Sequence, residues 1–353
     1  MNCYFNKLSS LNASDCTVLT SLDCSDNSLT NLNVSACTAL TSLDCYSNLL
    51  TNLNVSTCIA LTSLNCTNNQ LTNLNVSSCT ALTSLDCRIN QLSSLNVSAN
   101  TALGSLSCNI NQLTSIDVSS NKALRWLYCE KNKLTSLNVS DNTELNILSC
   151  SENQLTRLDV SACTALTELW CSKNSITNLN VSVGSTLRAL VCDGNYLTNL
   201  DLSGATSLVY FHCEFNQLTS LNLKNGANKR LNNQERFWAT GNPNLICVQV
   251  DDTVYANSYW RDDFPTGTLF RLNCSGVGIN TIAQSKSLQV YPNPTTGNIY
   301  LSENSNILLT DLLGNLILEQ KNINQLDILS LPSGMYFLRV GDNLKQIFKI
   351  IKE

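Results

Sequence analysis

The chain has 353 residues, a formal net charge of -5 and 13% charged residues, about half the share of an average soluble protein. This weakly acidic balance, with no cluster of Lys or Arg, argues against binding to nucleic acid or to an anionic membrane surface. No run of about 18 apolar residues is present, so the sequence predicts no transmembrane segment. The length indicates two or three domains, and 43% hydrophobic residues are enough to build their cores.

A unit of 21 residues, seen in its plainest form at residues 19–39, repeats without insertion through more than half of the chain. One column of cysteines runs at this period from Cys3 to Cys213. A column of asparagines runs in parallel from Asn6 to Asn216, and leucines fill four further columns. A fixed period in this range is typical of a solenoid, in which each unit buries its apolar edge against the next.

Each unit consists of two similar halves, and in each half apolar residues alternate with small polar ones. Around Leu22 and Leu32 this alternation predicts one short parallel strand per half, which makes two strands per coil and a mainly β protein. The Asn, Ser and Thr residues between the leucines are weak helix formers. One coil buries too little apolar surface to offset its ordering entropy, so only the stack can fold.

The pattern L-x-x-L-x-C-x-x-N-x-L resembles the leucine-rich repeat, and the second half, LTNLNVS, is similar to that of the nested bacterial class with 21 residues per repeat. The resemblance covers Cys3 to about Val250 and holds in register over many coils. It implies a curved or flattened solenoid with parallel sheets, which this family uses to bind other macromolecules. It names no ligand.

The 18 cysteines mostly follow the repeat, which argues against a disulfide framework. In the column from Cys3 to Cys213 each cysteine takes an inward strand position, where we expect an unbridged apolar thiol. A second column indicates a tight turn and no metal cluster, because Cys and Asn exchange freely in it: Cys16, Cys37, Cys58, Cys79, Asn100, Asn121, Asn142 and Cys163. Cys247 and Cys274 belong to neither column and are disulfide candidates, with pairing left open. We predict no metal site and no cofactor.

Outward positions of the first strand change character halfway along the repeats. They are Ser, Asp or Asn up to Ser107, and large apolar residues then take over: Trp126, Tyr128, Ile147, Trp170, Val191, Tyr210 and His212. Because coils stack about 4.8 Å apart, these side chains should form one exposed patch about 20 Å long. Exposed aromatic residues on a rigid sheet suit partner or sugar binding, so the patch is the candidate partner face. There are two alternatives: the C-terminal segment folds back over these side chains, or the change from polar to aromatic residues is random drift.

Catalysis has little support in the sequence. His212 is the only histidine, and its neighbour Cys213 should point to the opposite side of the strand, so the two cannot form a catalytic pair. Asp23, Asp44 and Asp86 line one face, and paired acids serve in glycan cleavage, but a solvated strand edge explains them better. We therefore predict that the protein is not an enzyme.

The repeat loosens after Leu223, which divides the chain into four predicted parts. The solenoid occupies residues 1–223, and a degenerate coil with a C-terminal cap occupies 224–274. A small polar linker spans 275–286. In the last part, 287–353, cysteine vanishes and short alternating strands separated by Pro, Asn and Gly predict a small antiparallel β-sandwich.

The last part resembles the type A C-terminal sorting domain of cargo of the type IX secretion system. The resemblance rests on Tyr291, Pro292, Asn293, Pro294, Gly297, Asp311, Gly314, Gly334 and Tyr336, with a basic tail at Lys349 and Lys352. It implies export across the outer membrane by the type IX machinery, after which the domain is removed and the body is anchored or released. Such cargo carries an N-terminal export signal; the opening residues, MNCYFNKLSS, show no apolar core of this kind, and we expect the signal upstream.

The sequence as a whole predicts an exported leucine-rich repeat protein, secreted or attached to the outer membrane at the cell surface. It should bind a macromolecule, in the first place a protein, through the outward face of the first strands. Glycan binding by the aromatic patch is the alternative. An enzyme and a passive stalk are weaker ones.

Overall fold

The structure is a computed structural model that describes residues 1–181, 186–231, 237–274, 290–312, 314–340 and 346–353. The chain divides into two compact units, Met1–Gly278 and Ile279–Glu353. The linker predicted at 275–286 lies outside the described residues. Within the described ranges, no helix has the length and hydropathy needed to cross a membrane.

The first half of each coil contributes one strand to an 11-stranded parallel sheet, called here the first sheet. Each strand contains a buried apolar residue and pairs in register with the equivalent strand of the next coil, as Leu22 does with Leu43. The strands are β2 (Ser21–Asp23), β4 (Ser42–Asp44), β5 (Ser63–Asn65), β6 (Ser84–Asp86), β7 (Ser105–Ser107), β8 (Trp126–Tyr128), β9 (Ile147–Ser149), β11 (Glu168–Trp170), β13 (Ala189–Val191), β15 (Tyr210–His212) and β17 (Phe237–Trp238).

The second half of the coil forms a strand only towards the two ends of the solenoid, so the prediction of two strands in every coil is wrong for the middle coils. The strands that do form are β1 (Ser10–Asn12), β3 (Asn31–Asn33), β10 (Arg157–Asp159), β12 (Asn178–Asn180), β14 (Asn199–Asp201), β16 (Ser220–Asn222) and β18 (Cys247–Gln249). In the middle, single bridges join Asn54 to Asn75 and Asn75 to Asn96. A side-chain turn, in which Asn54 accepts from the backbone N of Ser56 at 3.0 Å, ends this half of the coil, and the same turn follows Asn33 at the end of β3, so it occurs with and without a strand.

The inward cysteines form an unbridged column inside the solenoid, as predicted. From Cys24 to Cys213 every thiol of the column is buried, and Cys3 in the first coil is half-buried. Burial raises the pKa of the thiols, to about 12 at Cys24 and Cys108, so they are neutral at physiological pH. The cysteines act here as small apolar side chains that let neighbouring coils approach.

The asparagine column forms a hydrogen-bonded ladder that ties each coil to the one before it. At Asn132, Nδ2 donates to the carbonyl oxygens of Cys129 in its own turn and Cys108 in the preceding coil, both at 3.1 Å. The Oδ1 atom accepts from the backbone N of Leu113 at 2.9 Å. The same pattern recurs along the column, so each buried amide satisfies backbone groups that leave the sheet.

The second column of cysteines and asparagines lies in the other turn of the coil. The Sγ atom of Cys79 lies 3.5 Å from the carbonyl oxygen of Val55, one coil back. At the next position Nδ2 of Asn100 donates to the equivalent carbonyl oxygen of Val76 at 3.0 Å. Thiol and amide exchange because both are short donors to the same carbonyl. In the described part of the chain, no group of three or more His, Cys, Asp or Glu residues is placed to hold a metal ion.

An irregular coil follows the last regular repeat. Phe237 pairs with Phe211 of the preceding first-sheet strand. Asn242 continues the asparagine ladder, because its Nδ2 donates to the carbonyl oxygen of Cys213 at 3.0 Å. The insertion of 224–236 is therefore accommodated without loss of the ladder.

A cap covers the end of this coil. It consists of helix α1 (Thr253–Tyr259), a 3-10 turn at Arg261–Asp263 and strand β19 (Leu269–Arg271), which pairs with β18. Trp260 is 1% exposed, and its ring centroid lies 4.8 Å from that of Phe237, 6.4 Å from Phe264 and 6.2 Å from Phe270. Its Nε1 donates to the carbonyl oxygen of Leu231 at 2.7 Å. These rings bury the apolar surface that the last coil presents.

The two cysteines outside the repeat columns are joined. Cys247 lies in β18 and Cys274 follows β19, and the structure places them in a disulfide with a Cα–Cα distance of 6.0 Å. The bridge links the last coil to the end of the cap.

One tight turn in the irregular coil requires glycine. Gly241 has a φ of +72°, and a Cβ there would lie 2.9 Å from the backbone N of Phe215. We expect Gly241→Ala to lower the free energy of unfolding by about 2 to 3 kcal/mol, from strain and overlap together. Urea denaturation followed by circular dichroism measures this loss. Gly226→Ala is the matched control, because Gly226 has the same φ with nothing within 4 Å of its Cβ position; equal losses in the two variants would contradict the overlap.

The second unit is a five-stranded antiparallel sheet around its own core. Its strands are β20 (Val290–Tyr291), β21 (Asn298–Thr310), β22 (Leu316–Asp327), β23 (Gly334–Val340) and β24 (Gln346–Lys352). The long β21 pairs with β22 along most of its length and with β20 and β23 over successive segments. The fully buried core residues include Ile299, Ile307, Leu309, Leu338 and Ile350. This is the small antiparallel domain that the sequence predicts.

Several residues of the sorting-domain motif fix the chain ahead of β21. The Oδ1 atom of Asn293 accepts from the backbone N of Ile351 at 2.9 Å, and its Nδ2 donates to the carbonyl oxygen of Lys349 at 2.5 Å. Tyr291 stacks on Tyr300 with ring centroids 6.1 Å apart. The peptide bonds before Pro292 and Pro294 are cis. The motif thus holds this segment against the last strand.

Other motif residues shape turns of the same unit. Asp311 accepts from the backbone N of Asn315 at 2.8 Å, and Gly314 in that turn has a φ of +83°. The hydroxyl of Tyr336 donates to the carbonyl oxygen of Pro332 at 2.7 Å. The remaining motif glycines differ: a Cβ would lie 2.6 Å from the Leu329 side chain at Gly297, and in open space at Gly334.

Candidate functional site

The outward surface of the first sheet is built by three columns of side chains. In each strand a buried leucine, or phenylalanine in β15 and β17, points inward, so the residues next to it point outward. The residue after the inward cysteine adds a third outward column. Along the second half of the sheet these columns carry the rings, and the name aromatic face is used for Trp126, Tyr128, Ile147, Trp170, Val191, Tyr210, His212 and Trp238.

Most of the predicted patch residues lie on this surface. Trp126 is 41% exposed, whereas Tyr128, Ile147, Trp170 and Tyr210 are partly exposed. Neither tryptophan ring is in the interior, as the assignment of inward and outward positions requires. The sheet therefore brings residues that are 84 positions apart, from 126 to 210, onto one continuous surface.

Two patch residues predicted to be exposed are buried. Val191 and His212 are each 7% exposed, so the prediction of an exposed side chain is wrong for both. Strand β13 has short side chains, and the rings of Trp170 and Tyr210 meet across it with centroids 5.8 Å apart. The His212 ring lies between Tyr210, at 4.5 Å, and a further ring at 4.7 Å.

That further ring is Trp238, which the sequence reasoning missed. It pairs in register with His212, stacks on it at an interplanar angle of 19° and is 41% exposed. A count in steps of 21 residues from His212 does not reach Trp238, because the insertion in the preceding coil makes this interval longer than 21 residues. Phe237 and Ala239 look like the inward pair of a further coil, and Trp238 between them is the signal that could have found it.

Carboxylates border the rings. Glu168 accepts from the indole Nε1 of Trp170 at 3.2 Å, which holds the acid against the ring. Asp193 accepts from the hydroxyl of Ser172 at 2.5 Å. Glu130 and Glu214 occupy the same outward column as Asp193, after the inward cysteines.

Two pKa shifts on this surface have burial as their main cause and nearby carboxylates as the second. Burial raises the pKa of Glu214 above its ordinary value, and the nearby Asp193 carboxylate raises it further. Burial also raises the pKa of the Tyr128 phenol, with smaller contributions from Glu168 and Glu130. Like charges thus crowd the aromatic face.

The first half of the sheet is polar. Asp44 accepts from Nδ2 of Asn65 at 3.2 Å, and burial raises the pKa of its carboxyl group. Asp86 pairs with Arg88 at 3.3 Å. The acids Asp23, Asp44 and Asp86 lie in one outward column, each in its own coil, so they line a surface and do not converge on a pocket.

The geometry around the histidine offers no catalytic pair. His212 stacks between rings on the outer surface, whereas Cys213 is buried and its thiol pKa is raised well above the ordinary value by burial. The two side chains point to opposite sides of the strand. His212 and Cys213 therefore do not form a nucleophile and base pair.

Comparison with known proteins divides along the two units. Residues 289–353 match the family model described as a secretion system C-terminal sorting domain. No curated protein sequence matches the chain. The sorting-domain match indicates a protein that is exported to the cell surface or the medium.

Similar solved structures are leucine-rich repeat proteins. The functional domain of InlJ from Listeria monocytogenes, described as including a cysteine ladder, has 24% identity and a TM-score of 0.53, covering 100% of this chain and 85% of that chain. A leucine-rich repeat protein of Leptospira interrogans has 22% identity and a TM-score of 0.56, covering 75% and 76%. The internalin inlF of Listeria monocytogenes has 21% identity and a TM-score of 0.50, covering 70% and 79%. The fold of the first unit is thus the leucine-rich repeat solenoid.

Proposed function

We propose that this chain, which joins a leucine-rich repeat solenoid to a secretion sorting domain, binds a macromolecule outside the cell through the aromatic face. A protein is the first candidate for the partner. The solenoid does the recognition, and the second unit serves export.

The observation that carries the proposal is the one-sided distribution of exposed rings. Trp126 and Trp238 are each 41% exposed at the two ends of the aromatic face, with Trp170 and Tyr210 between them. The equivalent positions in the first half of the sheet are small and polar. Clustered tryptophan and tyrosine on an exposed surface are typical of interaction sites, because they bury much apolar area at low entropic cost.

The rigidity of the sheet supports the same function. Each coil is tied to its neighbour by the asparagine ladder, and buried leucines and cysteines fill the inner side of the strands. A surface whose side chains are already in position loses little conformational entropy when a partner binds.

The test uses the full chain immobilised on beads and incubated with extracellular proteins of bacterial and host origin. The Trp126→Ser and Trp170→Ser double variant should retain at least about tenfold less of the partner, because tryptophans of a binding surface often carry a large share of the binding energy. The Ser63→Ala and Ser84→Ala double variant, on the polar half of the same sheet, is the control and should bind as the wild type does. An unchanged set of bound proteins with the tryptophan variant would remove the proposal, provided that circular dichroism shows an intact fold.

A glycan is the second candidate, favoured by the exposed rings. Trp126 is 41% exposed and Trp170 is partly exposed, and an exposed indole ring can pack against the apolar face of a sugar. A glycan array probed with the wild type and the tryptophan double variant separates the two candidates. Glycan signals that vanish in the variant would favour the sugar.

We also propose the route of export. The second unit is recognised by the type IX secretion machinery through the segment that Asn293 holds against β24, and the solenoid is then anchored or released. The support is the family match over 289–353 together with the bonds of Asn293 to Lys349 and Ile351.

A further inference from the structure

The outward columns of the first sheet carry charge of almost one sign. Between residues 21 and 214, the residues of these three columns include one Lys or Arg, Arg88, which pairs with Asp86 at 3.3 Å. The acids in the same columns are Asp23, Asp44, Asp86, Glu130, Glu168, Asp193 and Glu214. A surface with seven acids and one base attracts cations and repels anions over a distance of several ångströms.

The basic residues of the aromatic coils lie at the edges of the sheet and not on the aromatic face. Arg125 pairs with Glu144 at 3.2 Å, and Lys173 pairs with Glu152 at 3.4 Å. Both of these acids lie outside the three outward columns. These two pairs add no net charge, and the other edge bases, among them Lys131 and Arg188, lie outside the three outward columns.

The four acids that border the aromatic face have no cationic partner in the described part of the chain. They are Glu130, Glu168, Asp193 and Glu214, and none of them takes part in the ion pairs found there. The Oε2 atom of Glu130 is buried and has no hydrogen-bond partner among the described residues. Acids that are partly desolvated and unpaired raise the free energy of the unbound surface, and a bound cation would lower it.

Rings and acids alternate in a way that fits long cationic side chains. Glu168 is held beside the Trp170 ring by its 3.2 Å hydrogen bond, and Glu130 follows two residues after Tyr128. A guanidinium group stacks on an aromatic face and at the same time donates to a carboxylate at its edge. Coils lie about 4.8 Å apart, and side chains on one side of an extended chain recur about every 6.8 Å, so several such contacts fit along the aromatic face.

Resting on the proposed function, we infer that the partner presents an extended cationic segment, whose Arg or Lys side chains stack on Trp126, Tyr128, Trp170 and Tyr210. The same side chains pair with Glu130, Glu168, Asp193 and Glu214. An acidic glycan or another polyanion would meet only repulsion here, and a neutral sugar would leave the acids unpaired.

The probe is a short synthetic peptide of alternating Arg and Ser, with a fluorescent label, and the protein is the full chain. Fluorescence anisotropy should show binding that weakens steeply between about 20 and about 300 mM salt, as expected for contacts between charges. Peptides in which Gln or Glu replaces Arg should bind weakly and not at all, respectively. No measurable binding of the Arg peptide, or equal binding of the Gln peptide, would overturn the inference.

A charge-neutral variant tests the location. The combination Glu130→Gln, Glu168→Gln, Asp193→Asn and Glu214→Gln should weaken binding of the Arg peptide by about tenfold or more. The control, Asp23→Asn with Asp44→Asn, removes two acids from the polar half and should change the affinity by less than about twofold. Equal losses in the two variants would point to overall charge and contradict a site.

The outcome also separates this inference from the function on which it rests. One outcome is that the tryptophan double variant loses its partner in the bead experiment while the wild type does not bind the Arg peptide. In that case the aromatic face binds a partner, but the inference that this partner is cationic is wrong. If the tryptophan variant keeps its partner, the function and the inference fall together.

Discussion

Replacing Asn132 by alanine is expected to lower the free energy of unfolding of the solenoid by about 3 kcal/mol, although this residue is not part of the aromatic face. The amide donates to Cys108 and Cys129 and accepts from Leu113, all in a buried turn. Its loss leaves the buried N–H of Leu113 without a partner, at a cost of about 1 to 3 kcal/mol, and removes one of the two amide bonds to each carbonyl; Asn111 and Asn153 keep the other. Urea denaturation followed by far-UV circular dichroism measures the change.

Two further variants sharpen this prediction. Asn132→Asp keeps the acceptor for Leu113 but replaces the donor by a carboxylate that faces the carbonyls of Cys108 and Cys129, so it should destabilise at least as much as alanine does. Lys133→Ala changes the adjacent exposed side chain and should be close to neutral. If Asn132→Ala resembles Lys133→Ala, the ladder does not hold the coils together.

The second large effect is expected in the cap, where Trp260→Ala should cost about 3 to 5 kcal/mol of stability. The ring is 1% exposed and packs on Phe237, Phe264 and Phe270, so its removal opens a cavity over the end of the solenoid. Unfolding of the last coils should then start at lower temperature than in the wild type, because terminal units of a solenoid are stabilised from one side only. Limited proteolysis followed by mass spectrometry should locate early cleavage after residue 223.

Controls for the cap follow from the same contacts. Trp260→Phe keeps most of the ring but loses the bond from Nε1 to Leu231, so it should cost less than alanine. Tyr259 is 64% exposed and contacts Tyr255, and Tyr259→Ala should have little effect. Early cleavage at the N-terminal coils of Trp260→Ala, and not at the C-terminal ones, would contradict the assigned role.

The repeat made much of the fold predictable, because one environment recurs in every coil. If Cys66 points inward, the cysteines at the equivalent positions of the other coils should do so too. In the same way, the hydrogen bonds of Asn69 predict those of the other asparagines in its column. A wrong assignment at one position is corrected by the residues at the equivalent positions of the other coils. The interior of the solenoid was therefore predicted in detail.

The errors arose where a residue depends on its neighbours across coils. His212 is outward, but the rings of Tyr210 and Trp238 cover it, and Val191 lies between Trp170 and His212, with which it pairs in the neighbouring strands. A column tells which side of the strand a residue takes and says nothing about the size of the side chains in the next coil. The repeat pattern of the second half-coil also does not distinguish coils that pair there as strands, such as that of Asn33, from coils joined by single bridges, such as that of Asn54.

The second unit shows the limit of motif reading in another way. Its motif residues were identified by resemblance, but the bonds that explain Asn293 run to Lys349 and Ile351, 56 and 58 residues away. Contacts at such separation leave no local pattern in an antiparallel sheet of irregular strand length. Only the folded chain gives the reason for an asparagine at this position.

The asparagine ladder has a consequence for how the protein can change in length. Every bond that Asn132 makes stays within its own turn or reaches the coil next to it, and none extends further. Genetic duplication or loss of one 21-residue unit in the interior would therefore leave the remaining junctions chemically the same. Such an event would move the cap by one step of about 4.8 Å and alter the reach of the recognition surface without a new core.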